Sequence, residues 1–160
     1  MIKVAILAGG CFWGLEYHLK KIYGVLSVKS GYMGGITENP SYEQVKSKTS
    51  GHAEVVKIEY DDSIVNYELI VRMFFEIHDP TQSDGQGIDI GPQYRSEIFY
   101  LDEEQKNIAE KLINILKEKG YGVVTKLTPA SIFYLAEDYH QDYFENNGGE
   151  PDCHFYVKRF

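Results

Sequence analysis

Lys3-Val4-Ala5-Ile6-Leu7-Ala8-Gly9-Gly10-Cys11-Phe12-Trp13-Gly14-Leu15-Glu16 is the stretch on which the fold turns. Lys3 to Ala8 is a short, nearly continuous apolar run and reads as a buried strand. From Cys11 to Tyr23 the apolar residues Phe12, Leu15, Leu19, Ile22 and Tyr23 recur at helical spacing. Two glycines separate the runs, so a strand gives way to a helix there, and a cysteine sits at the junction. A thiol at the amide end of a helix is in the place that favours its anionic, reactive form.

The same alternation continues outward. Val25 to Gly31 reads as a second strand ending in the turn Gly31-Tyr32-Met33-Gly34-Gly35, and Ala53 to Tyr60 as a third, closed by Asp61-Asp62-Ser63. Tyr67 to Ile77 carries apolar residues at Tyr67, Ile70, Val71, Phe74 and Ile77, a helix. His78 to Arg95 is long, polar and aperiodic, the mark of a functional or disordered loop. Ser96 to Leu101 is strand-like, and Asp102-Glu103-Glu104-Gln105 is a capping-box start for a helix to about Lys119, stopped by Gly120. A short strand near Val123 to Leu127 and a helix around Glu137 to Glu145 precede the tail. The order predicts a two-layer α/β sandwich: a central mixed sheet, helices packed on it, and a long coil-rich C-terminal segment. One catalytic domain over residues 1–160 is expected, with 146–160 as a mobile tail.

Its 160 residues suffice to bury roughly 70% of the unfolded surface. The net charge of −8 argues against a nucleic-acid or membrane-surface partner, which needs a basic footprint. No apolar run approaches membrane-spanning length, and Met1 opens directly into a strand-like segment, so a cytoplasmic protein is expected. In that compartment Cys11 and Cys153 do not make a permanent structural disulfide, while a transient catalytic one stays open. The histidines show neither i, i+4 pairing nor a CxxC partner, and no metal site is expected. With no long exposed apolar segment, a monomer is expected.

An unperturbed thiol is only about 3% ionised at pH 7. A helix terminus supplies up to about 2 kcal/mol, lowering the pKa by roughly 1.5. That leaves Cys11 partly ionised, with donors or substrate completing the activation. Trp13 falls near Glu16, Tyr17 and Lys20, on the polar face of the helix, which suits a binding wall; Phe12 falls on the buried stripe. Glu54 shares a strand face with Val56, Ile58 and Tyr60, where partial desolvation makes a neutral proton donor. The alternative is a solvated carboxylate at the strand end. Tyr42, in the turn Asn39-Pro40-Ser41-Tyr42, and Tyr94, in the loop with Asp89, present phenols. Each taken alone also reads as a structural tyrosine. Cys153, among turn formers, is either an incidental terminal cysteine or a thiol able to swing toward Cys11.

Several separated blocks agree on one resemblance. Gly-Cys-Phe-Trp-Gly, Gly31-Tyr32-Met33-Gly34-Gly35, Asn39-Pro40-Ser41-Tyr42, Gly51-His52-Ala53-Glu54, His78-Asp79-Pro80-Thr81, Asp89-Ile90-Gly91-Pro92-Gln93-Tyr94-Arg95-Ser96 and Ala136-Glu137-Asp138-Tyr139-His140-Gln141 resemble the motifs of the A-type peptide methionine sulfoxide reductases, in that family's order and across nearly the whole chain. The resemblance implies a two-layer α/β plait and reduction of the S epimer of free or protein-bound methionine sulfoxide. It makes Cys11 the nucleophile on the sulfoxide sulfur and Glu54 the proton donor to its oxygen, with Tyr42 and Tyr94 hydrogen-bonding that oxygen. Asp89 would help hold the substrate, and Phe12 and Trp13 would pack around its terminal methyl. Cys153 would trap the Cys11 sulfenic acid as a disulfide that thioredoxin reduces, with no metal or organic cofactor. Ile88 departs from the polar residue expected before Asp89, and a low-molecular-weight thiol is the alternative to Cys153. The competing readings are a thiol peroxidase using the same sulfenate chemistry and a redox-sensing or peptide-binding module.

Overall fold

Ala5 and Leu7 point to one face of strand β1 (Ile2–Gly9), Ile6 and Ala8 to the other, and all four are buried. A central strand covered on both faces is why the run lacks polar alternation. The computed structural model describes residues 1–151 and 154–160. After β1 come α1 (Phe12–Leu19), β2 (Val25–Met33), α2 (Tyr42–Lys46), β3 (Ala53–Asp61), α3 (Tyr67–Ile77), β4 (Gly85–Gln86) and β5 (Asp89–Ile90). Then follow β6 (Ser96–Tyr100), α4 (Glu103–Glu118), β7 (Lys126–Pro129), β8 (Tyr134–Leu135) and α5 (Tyr143–Asn147). Six strands form one sheet in the order β7-β6-β1-β3-β2-β8. The β6–β7 pair is parallel and the other pairs are antiparallel, so the sheet is mixed.

Helices α1, α3 and α4 cover the face bearing Ala5, Leu7, Val56, Ile58 and Ile98. The opposite face, with Ile6, Ala8, Met33, Val55 and Phe99, is packed by Ala130 and Phe133 rather than by a helix. This is the two-layer α/β sandwich expected from the order of elements. Helix α3 has the predicted bounds: the Asn66 side chain accepts from the Leu69 N–H (2.8 Å), and Ile70, Val71, Phe74 and Ile77 are buried. Burying each such side chain stabilises the fold by about 1.5–3 kcal/mol. Asp102 caps α4 through the Gln105 N–H (2.8 Å). Gln105 does not close the box; it accepts from the Leu101 N–H and donates to the Val4 carbonyl, tying α4 to β1. The complete capping box, Ser41 with Gln44, opens α2, where the sequence shows only a turn.

Several segments depart from the sequence reading or fill it in. Helix α1 ends at Leu19, four residues early, so Tyr23 leaves the apolar stripe and is 85% exposed. The strand expected near 123–127 lies at 126–129, set by parallel pairing with β6. The helix expected over 137–145 breaks into a 3₁₀ turn at Asp138–His140 and the short α5, because Asp142 takes a left-handed φ of 52°. Lys20 holds that break, bonding Asp142 (2.8 Å) and Glu145 (2.6 Å), while Gln141 bonds both the N–H and carbonyl of Ser30 on the β2 edge. The loop 78–95 is ordered by the β4–β5 hairpin and by Gln82, which reaches both the N–H and the carbonyl of Gly87. The segment expected as a mobile tail ends in residues with specific partners. The Val157 N–H donates to the Glu76 carbonyl (2.7 Å), and Arg159 Nε donates to the Phe75 carbonyl (2.7 Å).

Candidate active site

Cys11 is the N-cap residue of α1, with extended φ and ψ of −63° and 127°. The chain reaches that conformation through Gly10, whose φ of 93° is costly for a side-chain-bearing residue. The Trp13 and Gly14 N–H groups face the sulfur and favour the thiolate. Burial acts against them and is stronger; with the nearby Glu54 and Asp89 carboxylates it holds the thiol well above its usual pKa. The partial ionisation expected from helix placement is therefore not the resting state, and Cys11 rests as a thiol.

Glu54 lies on β3 facing the helix layer, with Val56, Ile58 and Tyr60 on the same side, and is 1% exposed. Alternation placed it correctly, and the solvated strand-end alternative fails. Its Oε1 accepts from the Phe12 N–H at 3.2 Å, under the first turn of α1. Burial pushes the carboxyl up to about 8, against the Phe12 hydrogen bond and with a further push from Asp89. Glu54 is accordingly about nine-tenths protonated at pH 7.

Above this pair opens a cleft of about 360 Å³ lined by Cys11, Trp13, Tyr42, Asp89, Tyr94 and Tyr143, among others. Tyr42 enters from the first turn of α2, where Glu137 accepts both its N–H and the Tyr32 hydroxyl, each at 2.9 Å. Burial, followed by Glu54 and Cys11, pushes the Tyr42 phenol up to about 12, and burial, followed by Glu54 and Tyr42, raises Tyr94. Both remain hydrogen-bond donors at neutral pH. Tyr94 ends a 3₁₀ turn (Pro92–Tyr94), and Asp89 opens β5 of the hairpin.

Trp13 stacks on Tyr143, with centroids 3.7 Å apart and planes 6° from parallel, and its Nε1–H donates to His140 Nδ1 (3.0 Å). Phe12 is wholly buried and packs on Tyr32 and His140, behind the cleft rather than among its lining residues. Cys153 lies outside the described residues. The structure thus gathers Cys11, Trp13, Tyr42, Asp89 and Tyr94 at one opening, with Glu54 beneath them and Phe12 in the core.

The sequence reading missed the C-terminal half of this site. His140 and Tyr143 hold the Trp13 indole, and Glu137 holds Tyr42; all three lie in or just after the Ala136-to-Gln141 block, which marked them without giving them a task. The face of α1 taken as polar is covered by residues 142–145. Glu16 there is 2% exposed, and burial pushes its carboxyl up to about 7. Among the described residues no group of three or more His, Cys, Asp or Glu side chains is placed to hold a metal ion, and no helix is long and apolar enough to cross a membrane.

The family model described as peptide methionine sulfoxide reductase matches residues 3–160. The chain belongs to that family. A peptide methionine sulfoxide reductase MsrA of Nautilia profundicola is 52% identical over 153 residues, covering 96% of this chain and 88% of that one. The MsrA of Saccharolobus solfataricus is 50% identical over 157 residues, covering 98% and 89%. The crystal structure of reduced Mxr1 from Saccharomyces cerevisiae superposes with a TM-score of 0.91 at 33% identity, covering 97% of this chain and 92% of that one. The yeast protein has also been solved in complex with Trx2. Membership makes this reductase an oxidoreductase acting on methionine sulfoxide and accounts for the mixed sheet with helices on one face.

Proposed function

We propose that this chain reduces the S epimer of methionine sulfoxide, free or within proteins, with Cys11 as nucleophile and Glu54 as proton donor. One observation carries the reading: a carboxyl held protonated near neutral pH lies under the helix turn that presents the only described cysteine, beneath a cleft with two phenols. A sulfoxide oxygen accepts hydrogen bonds well but leaves poorly until protonated, so it needs an acid and donors beside the nucleophile.

Tyr42 and Tyr94 hydrogen-bond the oxygen, and Trp13, stacked on Tyr143, walls the methyl. Phe12 supports that wall from behind and lends its N–H to Glu54. Asp89 accepts from polar groups of the substrate. As the Cys11 sulfur bonds to the substrate sulfur, Glu54 passes its proton to the oxygen and recovers one from the thiol. The oxygen transfers to Cys11, methionine departs, and Cys11 is left as sulfenic acid. The electrons balance, since the sulfoxide is reduced as the thiol is oxidised. Cys153 then condenses with the sulfenic acid to a disulfide and water, and thioredoxin or a small dithiol reduces it. The yeast relative's complex with Trx2 supports this recycling partner. Neither a metal nor an organic cofactor enters these steps, which proceed in the cytoplasm.

The test is turnover of the two resolved epimers of a blocked methionine sulfoxide, with dithiothreitol, by wild type and Cys11→Ser. Wild type consumes the S epimer alone and the variant is inert. Equal turnover of both epimers, or faster reduction of hydrogen peroxide, defeats the proposal.

A further inference from the structure

Gly10 and Gly14 flank the cysteine turn, and both pack against one side chain from the far end of the chain. A Cβ on Gly14 would overlap the His154 ring, and one on Gly10 would meet the Gln86 side chain at 2.8 Å and His154 Nε2 at 3.0 Å. His154 is 2% exposed. Its Nε2 lies 2.6 Å from the Gly9 carbonyl oxygen, which can only accept, so Nε2 carries the proton and donates. The carbonyl of His154 accepts in turn from His18 Nε2 (3.0 Å) on α1. The imidazole is therefore a peg, seated on the bare Cα of Gly14, bonded to the Gly9 carbonyl and flanked by Gly10, on both sides of Cys11. Ordinary backbone freedom explains Gly10, with its φ of 93°, but not Gly14, which lies inside α1; the ring packed on it does.

Glu150, Pro151 and His154 all border the cleft that contains Cys11. Cys153 is joined to His154 by one peptide bond, a Cα–Cα step of about 3.8 Å. A disulfide requires Cα atoms within about 4.4–6.8 Å. Holding residue 154 in that seat therefore confines the chain next to Cys153 to the wall of the cleft. Without the ties at residue 154, the next backbone tie along the chain is the Val157 N–H to the Glu76 carbonyl, and a cysteine on that longer tether explores a larger volume.

We propose that His154 is a positioning residue for the resolving step, pegging the segment that carries Cys153 beside Cys11; this rests on Cys153 being the resolving thiol, as proposed above. In that step the Cys153 thiolate attacks the Cys11 sulfenic sulfur. The S–S bond forms, the S–O bond breaks, and hydroxide takes a proton and leaves as water. The sulfenic acid is the oxidant, so no other is required. Pinning raises the effective concentration of one thiol at the other, which accelerates this step and not the reduction of the sulfoxide.

The experiment is a reductant-free single turnover with excess methyl sulfoxide, following methionine released and free thiols remaining after an acid quench. Wild type, His154→Ala, His154→Gln, His18→Leu and Cys153→Ser are compared. In His154→Ala, disulfide formation slows about tenfold or more relative to the methionine burst, and sulfenic acid accumulates for capture by dimedone. His154→Gln, which keeps a donor at the Nε2 position, recovers most of the rate. His18→Leu removes the other tie to residue 154 and slows the same step by a smaller factor; it also serves as the test if His154→Ala does not fold. Disulfide formation at the wild-type rate in His18→Leu and in whichever His154 variants fold overturns the inference, provided Cys153→Ser forms none. If Cys153→Ser, whose one remaining thiol is Cys11, turns over repeatedly with thioredoxin as fast as wild type, the reading of Cys153 fails instead.

Discussion

Replacing Glu54 by Gln keeps the side-chain size and an acceptor for the Phe12 N–H, but removes a carboxyl that burial holds up to about 8. In the unfolded chain a glutamate titrates near pH 4.3. Below about 4.3 both states are protonated and the group contributes no pH dependence. Between that value and about 8 the folded state holds a proton the unfolded state has lost, so stability falls as pH rises. The slope is about 1.4 kcal/mol per pH unit. Glu54 is 1% exposed, so solvent screening takes little from this. From pH 5 to pH 7 wild type therefore loses about 2.7 kcal/mol relative to Glu54→Gln. For a chain of this size that is a relative Tm shift of about 5–11 °C. Glu16, also buried and raised, is present in both proteins and cancels in the difference. The assay is thermal and urea denaturation of both reduced proteins at pH 5, 6 and 7, beside turnover of the S epimer at pH 7. Loss of the general acid costs about 10²–10⁴-fold in kcat/KM. Stability profiles that run parallel would refute the buried neutral carboxyl, and a variant within threefold of wild-type activity would refute its use as the acid.

Three further outcomes follow from particular contacts. Trp13→Phe loses the Nε1–H bond to His140 and part of the Tyr143 stack, so KM for the S epimer rises about tenfold with a smaller change in kcat, checked by steady-state kinetics. Burial pulls His78 down to about 3, so the unfolded state alone takes up its proton between pH 6.5 and 3; stability is lost as pH falls through that window, and His78→Gln flattens the acid limb of a urea-midpoint profile. Phe74→Ala empties a fully buried site between α3 and the sheet and costs about 3–5 kcal/mol in denaturant unfolding, with activity per folded molecule retained.

Much of this molecule is local and was legible as such. Helix α3 is legible because its apolar residues keep one period and its caps lie within the segment. Cys11 at the strand–helix junction and Glu54 on the apolar face of β3 follow from periodicities of 3.6 and 2, which the backbone enforces before any tertiary contact forms. The ordered motifs identified the family for the same reason, being runs of adjacent residues. Tertiary structure alone decided the rest. The proton on Cys11 is set by burial and by Glu54 and Asp89, which lie 43 and 78 positions away and outweigh a helix end that the sequence does show. The polar face of α1 is partly covered, with Glu16 buried, because residues 142–145 fold over it, and the same contacts broke the helix expected there. Trp13 is held by His140 across 127 positions, and Gly14 leaves room for the ring of His154, whose bond to Gly9 spans 145. Periodicity reports which way a side chain points from its own backbone; what waits there is settled only when the distant ends of the chain meet.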